Sequence, residues 1–333
     1  MMESIPLSWF RSAIKYPEFE TVRLPLSGLS WIHSAEIPHN YSFEELHEEL
    51  SFKFGKGILI RGCSGEIAQY LARKGFDTVR TGAEGVIDLD MLHWRRPSVK
   101  ELVRRGMRWG GVKEIPFTNL NQERIYQFSA RTSYGNKPHL NYLFLAQFDS
   151  STRCFVFSTE WGNWLGTVTV STTAHSCAHT ELILRDVNAP PGVMEALLVE
   201  VMNILRDEGY EKFSLGEVPF VTPQNMDSVK VSSTSSVKEM MLFKSGRILK
   251  FAFDYAGLFR FKNKFLPEWE PLYICANPEL TYSALADIFF VSRYFDLSRS
   301  ELMSAIKMLL SFISETFLNK PLIHTPRSRI EWR

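Results

Sequence analysis

The stretch Glu181-Leu-Ile-Leu-Arg185-Asp186-Val-Asn188-Ala-Pro-Pro-Gly192-Val193 decides how the chain is read, because two periodicities meet in it. Before it, residues 154–158, 165–171 and 179–184 are short apolar runs separated by turn residues, which predicts an antiparallel meander, with one further strand over 142–148. After it, Val193, Leu197, Leu198, Val201, Ile204 and Leu205 share one helical face until Gly209 stops the helix, and 213–215 reads as a short buried strand. Strands that feed a helix and return to a strand predict layered α/β structure.

The N-terminal side repeats this texture. Residues 21–32 and 57–60 read as strands, and between them Ser42 with Glu45 is a capping box for a helix to about Phe54. A helix over 65–74 ends at Gly75, and 78–89 reads as a strand pair broken at Gly82. Pro97 and Ser98, with Glu101, start a helix that Gly110 and Gly111 stop, and a further helix covers 122–131. Toward the C-terminus, 222–237 is rich in Ser, Thr, Pro and Asn and reads as a long loop or lid, whereas 281–317 is helical with a capping box at Ser298 and Glu301. No repeat at a 20–50-residue period is visible, which argues against a solenoid or propeller. The expected division is an N-terminal lobe over 1–139, a catalytic lobe over 140–278 and a helical extension over 279–333.

Composition narrows the function. With 333 residues, 45% hydrophobic and 23% charged, the chain can build two cores and is not expected to be disordered. A net charge of +1 leaves no global basic field, so attraction to RNA or to an anionic membrane needs a local patch. The four cysteines show no C-x-x-C spacing, and the eight histidines show no ligand spacing on a helix, so neither a metal nor a disulfide framework is expected. His175 and His179 flank Cys177 across a turn and a strand, which reads as a chance cluster. Glu3, Arg11 and Lys15 make the first residues too polar for a signal peptide, and no run of about 20 apolar residues offers a membrane span. A cytoplasmic protein that reaches a membrane, if at all, from its inner face is expected.

Two further stretches carry ionisable side chains in a distinctive setting: Phe213-Ser-Leu-Gly216-Glu217-Val-Pro219 and Leu258-Phe-Arg260-Phe-Lys262-Asn-Lys264-Phe-Leu-Pro267-Glu-Trp269-Glu270-Pro271-Leu-Tyr273. Together with the opening stretch they make the chain resemble the phosphatidylglycerol lysyltransferase family, the cytosolic half of the multiple peptide resistance factor, over about 165–276. The resemblance implies tandem acyltransferase lobes of the GCN5-related (GNAT) type with mixed central sheets. It also implies transfer of an amino acid from aminoacyl-tRNA, as co-substrate and without a cofactor, to a lipid head group such as phosphatidylglycerol. By the same resemblance Glu181, Lys262 and Lys264 surround the aminoacyl ester as catalytic groups, with Arg185 as a basic group beside them; Asp186, Glu217, Arg260 and Tyr273, in the same stretches, are further candidates for binding substrate, Glu217 because it follows a strand at its carboxyl end. The chain departs from the family at Leu184, where a basic residue is usual, and at Ser214, Glu217 and Leu272.

The chemistry is consistent with those residue types. Attack on an ester carbonyl needs positive charge near the developing oxyanion and an acid to hold the donor's α-ammonium. Lys262 or Lys264 can supply the first and Glu181 or Glu217 the second; two lysines two apart on a helix point to different faces, so one is expected in the pocket. The bland alternatives are a solvated lysine pair, a plain Glu181–Arg185 ion pair and a turn acid at Glu217. Arg95, Arg96, Lys100, Arg104, Arg105 and Arg108 form a basic face that suits a tRNA backbone, with Trp94 and Trp109 as stacking groups, or an ordinary solvated helix. Phe289, Phe290, Phe295, Leu309, Leu310, Phe312 and Phe317 are expected to pack on the core, the alternative being an interfacial lipid patch. Two other functions remain open on the same fold: an acyl-CoA-dependent or peptide-acceptor N-acyltransferase, which the prolines before Val193 disfavour because they lack phosphate-gripping N–H groups, and an inactive tRNA- or membrane-binding module.

Overall fold

Local signals set the elements. The Ser42 hydroxyl accepts from Glu45 N while the Glu45 carboxylate accepts from Ser42 N at 2.8 Å, a reciprocal cap that starts the first helix where the sequence placed it. The computed structural model describes residues 4–7, 9–55, 57–135, 137–143, 152–174, 176–222 and 233–318. In chain order these form β1 (Trp9–Ser12), β2 (Glu18–Arg23), β3 (Ser30–Pro38), α1 (Phe43–Phe54), β4 (Ile58–Cys63), α2 (Gly65–Arg73), β5 (Asp77–Asp88), α3 (Pro97–Gly106), β6 (Gly111–Ile115) and α4 (Asn119–Ser129). There follow β7 (Arg153–Ser158), β8 (Trp164–Ala174), β9 (Cys177–Arg185), α5 (Val193–Asp207), β10 (Lys212–Pro219), α6 (Ser233–Ile248), α7 (Tyr255–Asn263), β11 (Glu268–Asn277), α8 (Tyr282–Val291) and α9 (Tyr294–Leu318).

Among the described residues all the strands belong to one mixed sheet in the order β1-β3-β4-β11-β5-β10-β9-β8-β7-β6, with β2 paired to β3. The first half is β1 to β5 with β11, and the second half is β10 to β6. The chain therefore crosses between halves more than once. The expected N-terminal unit of 1–139 sends β6 and α4 to the far edge of the second half, and β11 enters the first half from much later in the chain, between β4 and β5.

Both halves are covered on both faces. Ile58 and Ile60 join a core under α1 and α2, whereas Leu59 between them joins a second core with Trp31, Val79, Leu242 and Ala284 on the opposite face. In the second half Phe155 and Phe157 pack with Leu197, Leu198 and Val201 of α5, and Val156 packs with Ile125 and Phe128 of α4.

Four local expectations are corrected. Residues 77–88 form one continuous strand rather than a pair, because Gly82 is a point of close approach and not a breaker: a Cβ there would lie 2.3 Å from Val218 O. The helix α3 begins at Pro97 with Arg96 as N-cap, so Ser98 caps nothing and Glu101 binds Arg104 and Arg105 instead. Ser298 lies inside α9 and donates to Tyr294 O at 2.9 Å. Of the expected loop 222–237, residues 223–232 lie outside the described residues and 233–237 open α6.

Candidate active site

Departures from regular pairing create an opening in the second half of the sheet. Lys212, Phe213 and Ser214 of β10 pair in parallel with Cys177, Ala178 and His179 of β9; beyond these residues the two strands part. On β10 the register against β5 shifts between Ser214 and Glu217, with Gly216 at φ 81°, a conformation that favours glycine. On β9 the register against β8 slips, Val170 pairing with Thr180 and Thr169 with Leu182, so Glu181 is left between them. The splay frees main-chain groups that a regular ladder would have used.

A buried polar cluster fills it. Lys262, near the end of α7, is 3% exposed and donates from Nζ to the main-chain oxygen of Glu217 at 3.0 Å. Its ammonium also lies against the Cα side of Gly216, where a Cβ would come within 3.5 Å of Nζ and 3.6 Å of His179 Cε1. The Ser214 hydroxyl contacts the Glu84 carboxylate, His179 Nδ1 at 3.0 Å and Gly216 N at 3.0 Å. Ser171 donates to Glu181 Oε1 at 2.7 Å, and Glu181 Oε2 is 4.0 Å from His179 Nε2.

Burial sets the protonation of these groups. It pushes the Glu84 carboxyl up to about 7, against the opposing hydrogen bond from Ser214, with Glu270 and Glu217 adding to the rise and Lys262 opposing it. It pulls Lys262 down to about 7, while the charges of Glu217 and Glu84 resist. His179 is held down at about 3 by burial and by the Lys262 ammonium, so its ring is neutral near pH 7. An acid and a base with matched proton affinities thus face one cluster, the arrangement expected where protons move.

The candidate residues separate clearly. Lys262 and Glu181 enter the cluster, and Lys264 does not, since its ammonium pairs with Glu195 of α5 at 2.7 Å. Glu217 borders the cluster through its main chain, but its carboxylate is engaged by Arg61 of β4 and by Thr81 at 3.2 Å. Arg61 also donates to Leu143 O at 2.9 Å. Arg185 is exposed at the end of β9 and donates to Ala189 O at 2.6 Å. Asp186 pairs with Arg131 and accepts from Asn188 N at 2.8 Å, which holds the turn into α5. Arg260 is exposed near Asp254, and Tyr273 is a core residue at 2% exposure. Glu84, His179 and Ser214 were not among the expected site residues; the signal for Glu84 was a carboxylate flanked by the small residues Ala83 and Gly85 within a strand.

The basic face divides as well. Trp94 is fully buried with Arg95 stacked on it at 4.8 Å, so it is a core residue rather than a stacking platform. Arg95 contacts Asn203, Arg96 occupies the N-cap position of α3 without a side-chain cap bond, Lys100 is exposed, and Arg104 and Arg105 share Glu101. Arg105, Arg108 and Trp109, the last 54% exposed, line an open cleft of about 390 Å³ with Pro190 and Pro191. Beneath it α3 crosses the start of α5 at backbone contact: a Cβ on Gly192 would lie 2.1 Å from Leu102 O, and one on Gly106 would lie 2.3 Å from Gly192 O.

On the C-terminal helices, Phe289 packs against the core near Ala284, whereas Phe290 and Phe295 are exposed with rings 5.2 Å apart. The side chains of Leu309, Leu310, Phe312 and Phe317 lie outside the described residues. No helix among the described residues is long and apolar enough to cross a membrane, and none of them form a group of three or more His, Cys, Asp or Glu that could hold a metal.

The strands thus form one extended mixed sheet in which β9 and β10, paired in parallel over three residues, splay beside a buried lysine. The chain belongs to the phosphatidylglycerol lysyltransferase family, whose C-terminal family model matches residues 42–276. It is 25% identical over 114 residues to a phosphatidylglycerol lysyltransferase of Bacillus subtilis (strain 168), a match that spans 34% of this chain and 12% of that protein. L-PGS from Bacillus licheniformis superimposes with a TM-score of 0.55 at 19% identity, covering 76% of each chain. The C-terminal domain of a putative lysylphosphatidylglycerol synthetase from Agrobacterium fabrum superimposes with a TM-score of 0.60 at 19% identity, covering 81% of this chain and 84% of that one. These superpositions speak to the fold.

Proposed function

We propose that the chain is an aminoacyltransferase that moves an amino acid from aminoacyl-tRNA to a lipid head group such as phosphatidylglycerol. The observation that carries this reading is Lys262: a nearly inaccessible ammonium held on one main-chain oxygen at the splay of β9 and β10, in a chain of this family. A cation there can meet the oxyanion that forms when an acceptor hydroxyl attacks the ester carbonyl, in a low-dielectric setting where the attraction is strongest. Glu181 lies in the same cluster, 4.0 Å from His179 Nε2, and is assigned to the donor's α-ammonium.

Two features favour an RNA-borne donor over acyl-CoA. Pyrophosphate would need free N–H groups at the start of α5, but Pro190 and Pro191 have none and α3 lies in backbone contact with Gly192. The adjoining cleft offers Arg105, Arg108 and exposed Trp109, which suit a phosphate and a base.

The test is transfer of radiolabelled amino acids from a charged tRNA pool into extracted lipid. Wild-type protein is expected to label lipid, and Lys262→Ala to lower kcat by roughly 10²–10³-fold, with partial recovery in Lys262→Arg. Label that enters a water-soluble product would replace the lipid acceptor, and undiminished transfer by Lys262→Ala would remove the lysine from the mechanism.

A further inference from the structure

The Ser214 hydroxyl has one hydrogen to give and two lone pairs to fill, and it lies within reach of three groups. Gly216 N–H can only donate to it, which occupies one lone pair. One donation and one acceptance remain for Glu84 and His179 Nδ1. Two arrangements satisfy the count. With Glu84 ionised, Ser214 donates to the carboxylate and His179 donates from Nδ1, leaving Nε2 with a bare lone pair. With Glu84 protonated, the acid donates to Ser214, Ser214 donates to Nδ1, and the hydrogen of the ring sits on Nε2. The state of Glu84 on β5 is therefore written into the tautomer of His179 on β9, whose Nε2 faces Glu181 in the opening.

We propose that His179, Ser214 and Glu84 form a proton relay that takes the proton of the attacking acceptor hydroxyl at His179 Nε2 and stores it on Glu84. This rests on the aminoacyl-transfer reading above. As the acceptor oxygen bonds to the carbonyl carbon, its O–H bond breaks and an Nε2–H bond forms; the Nδ1 hydrogen passes to Ser214 Oγ and the Ser214 hydrogen to Glu84. When the bond from carbonyl carbon to ribose oxygen breaks, that oxygen takes its proton from the Lys262 ammonium. The protein is left with Glu84 protonated and Lys262 neutral, and one proton passed from acid to amine restores both. His179 is the catalytic residue, and Ser214 and Glu84 act through it.

The electrostatics agree with this sequence. Glu84 and Lys262 are both brought to about 7, so returning the proton between them is nearly neutral in free energy. The ring, held at about 3, does not trap a proton in transit. The groups facing the relay are Lys262 on α7, Glu217 on β10, Glu270 on β11, and Glu181 and Cys177 on β9.

Ring-nitrogen NMR of the full chain with ¹⁵N-labelled histidine tests it, with His179→Gln identifying the resonances. Between pH 5 and 9 the wild-type His179 ring is expected to stay neutral and to switch from Nε2–H to Nδ1–H with a midpoint near 7. Glu84→Gln should fix one tautomer, Ser214→Ala should uncouple the ring from pH, Ser214→Thr should restore the switch, and Lys262→Met should keep it. In transfer assays Ser214→Ala should lower kcat by roughly 10²-fold at unchanged KM, with recovery in Ser214→Thr. A wild-type tautomer that does not change with pH, a charged ring, or a switch that survives Glu84→Gln would overturn the relay. A switching tautomer without aminoacyl transfer would leave the relay standing and reject the assigned reaction; transfer with a fixed tautomer would do the reverse.

Discussion

The outer part of the first half and the junction between the halves bury polar groups in opposite ways. In the first half Arg11 is buried, and its guanidinium donates to Pro38 O at 3.0 Å, His39 O at 3.3 Å and Tyr41 O at 2.9 Å, tying down a loop. Where the halves meet, at β5 and β10, Lys262 is buried more deeply with one hydrogen-bond partner among the described residues, beside a carboxyl and an imidazole that burial also perturbs. A buried ion held by several loop carbonyls locks structure; a sparsely satisfied one costs stability and is kept for chemistry. The same layered architecture holds in both halves, so the fold itself does not require the polar cluster.

Changes in the two halves should separate stability from activity. Leu71→Ala, in the first core, is expected to cost about 2–5 kcal/mol in denaturant unfolding while the folded fraction keeps its kcat. A changed kcat would mean that the halves are not separable. The buried cluster should respond to pH in the other direction. Between about 4.5 and 7 folded Glu84 holds a proton that the unfolded chain has released, so stability falls as pH rises and the cost is complete above 7. Glu84→Gln should therefore stabilise by a few kcal/mol at pH 8 and little at pH 4.5. Between about 7 and 10.5 unfolded Lys262 holds a proton that the folded chain has lost, so stability rises with pH, and Lys262→Met should stabilise most below pH 7. Melting curves across pH that fail to diverge for these variants would erase the contrast. The smallest effect belongs to Lys264→Ala, expected to cost about 1 kcal/mol or less and to leave transfer within about threefold, because its ammonium is part-exposed on Glu195.

What the sequence made legible follows from the range of each signal. The Ser42 cap and the apolar stripe of α5 are local, and they were read in place. Gly82 was misread as a break because its role depends on Val218, far along the chain. Lys262 stood out through the resemblance, yet its separation from Lys264 was only a helical-geometry argument until α7 was seen against β10. Glu84, His179 and Ser214 are polar residues among others in strands of mixed composition, and no spacing rule joins three residues from three strands. Their meeting depends on the splay of β9 from β10, which local periodicity does not encode.

The placement of β11 bears on how the chain is made. Its hydrogen-bonding neighbours, β4 and β5, are complete by Asp88, yet the strand that joins them ends at Asn277. During synthesis the facing edges of β4 and β5 must wait, unpaired, for nearly two hundred residues to emerge. At roughly 5–20 residues per second that is an exposure of tens of seconds at the slower end. Open strand edges of this kind recruit other chains, so the interval is when the nascent polypeptide most needs a chaperone, and a fragment ending before β11 should aggregate rather than fold.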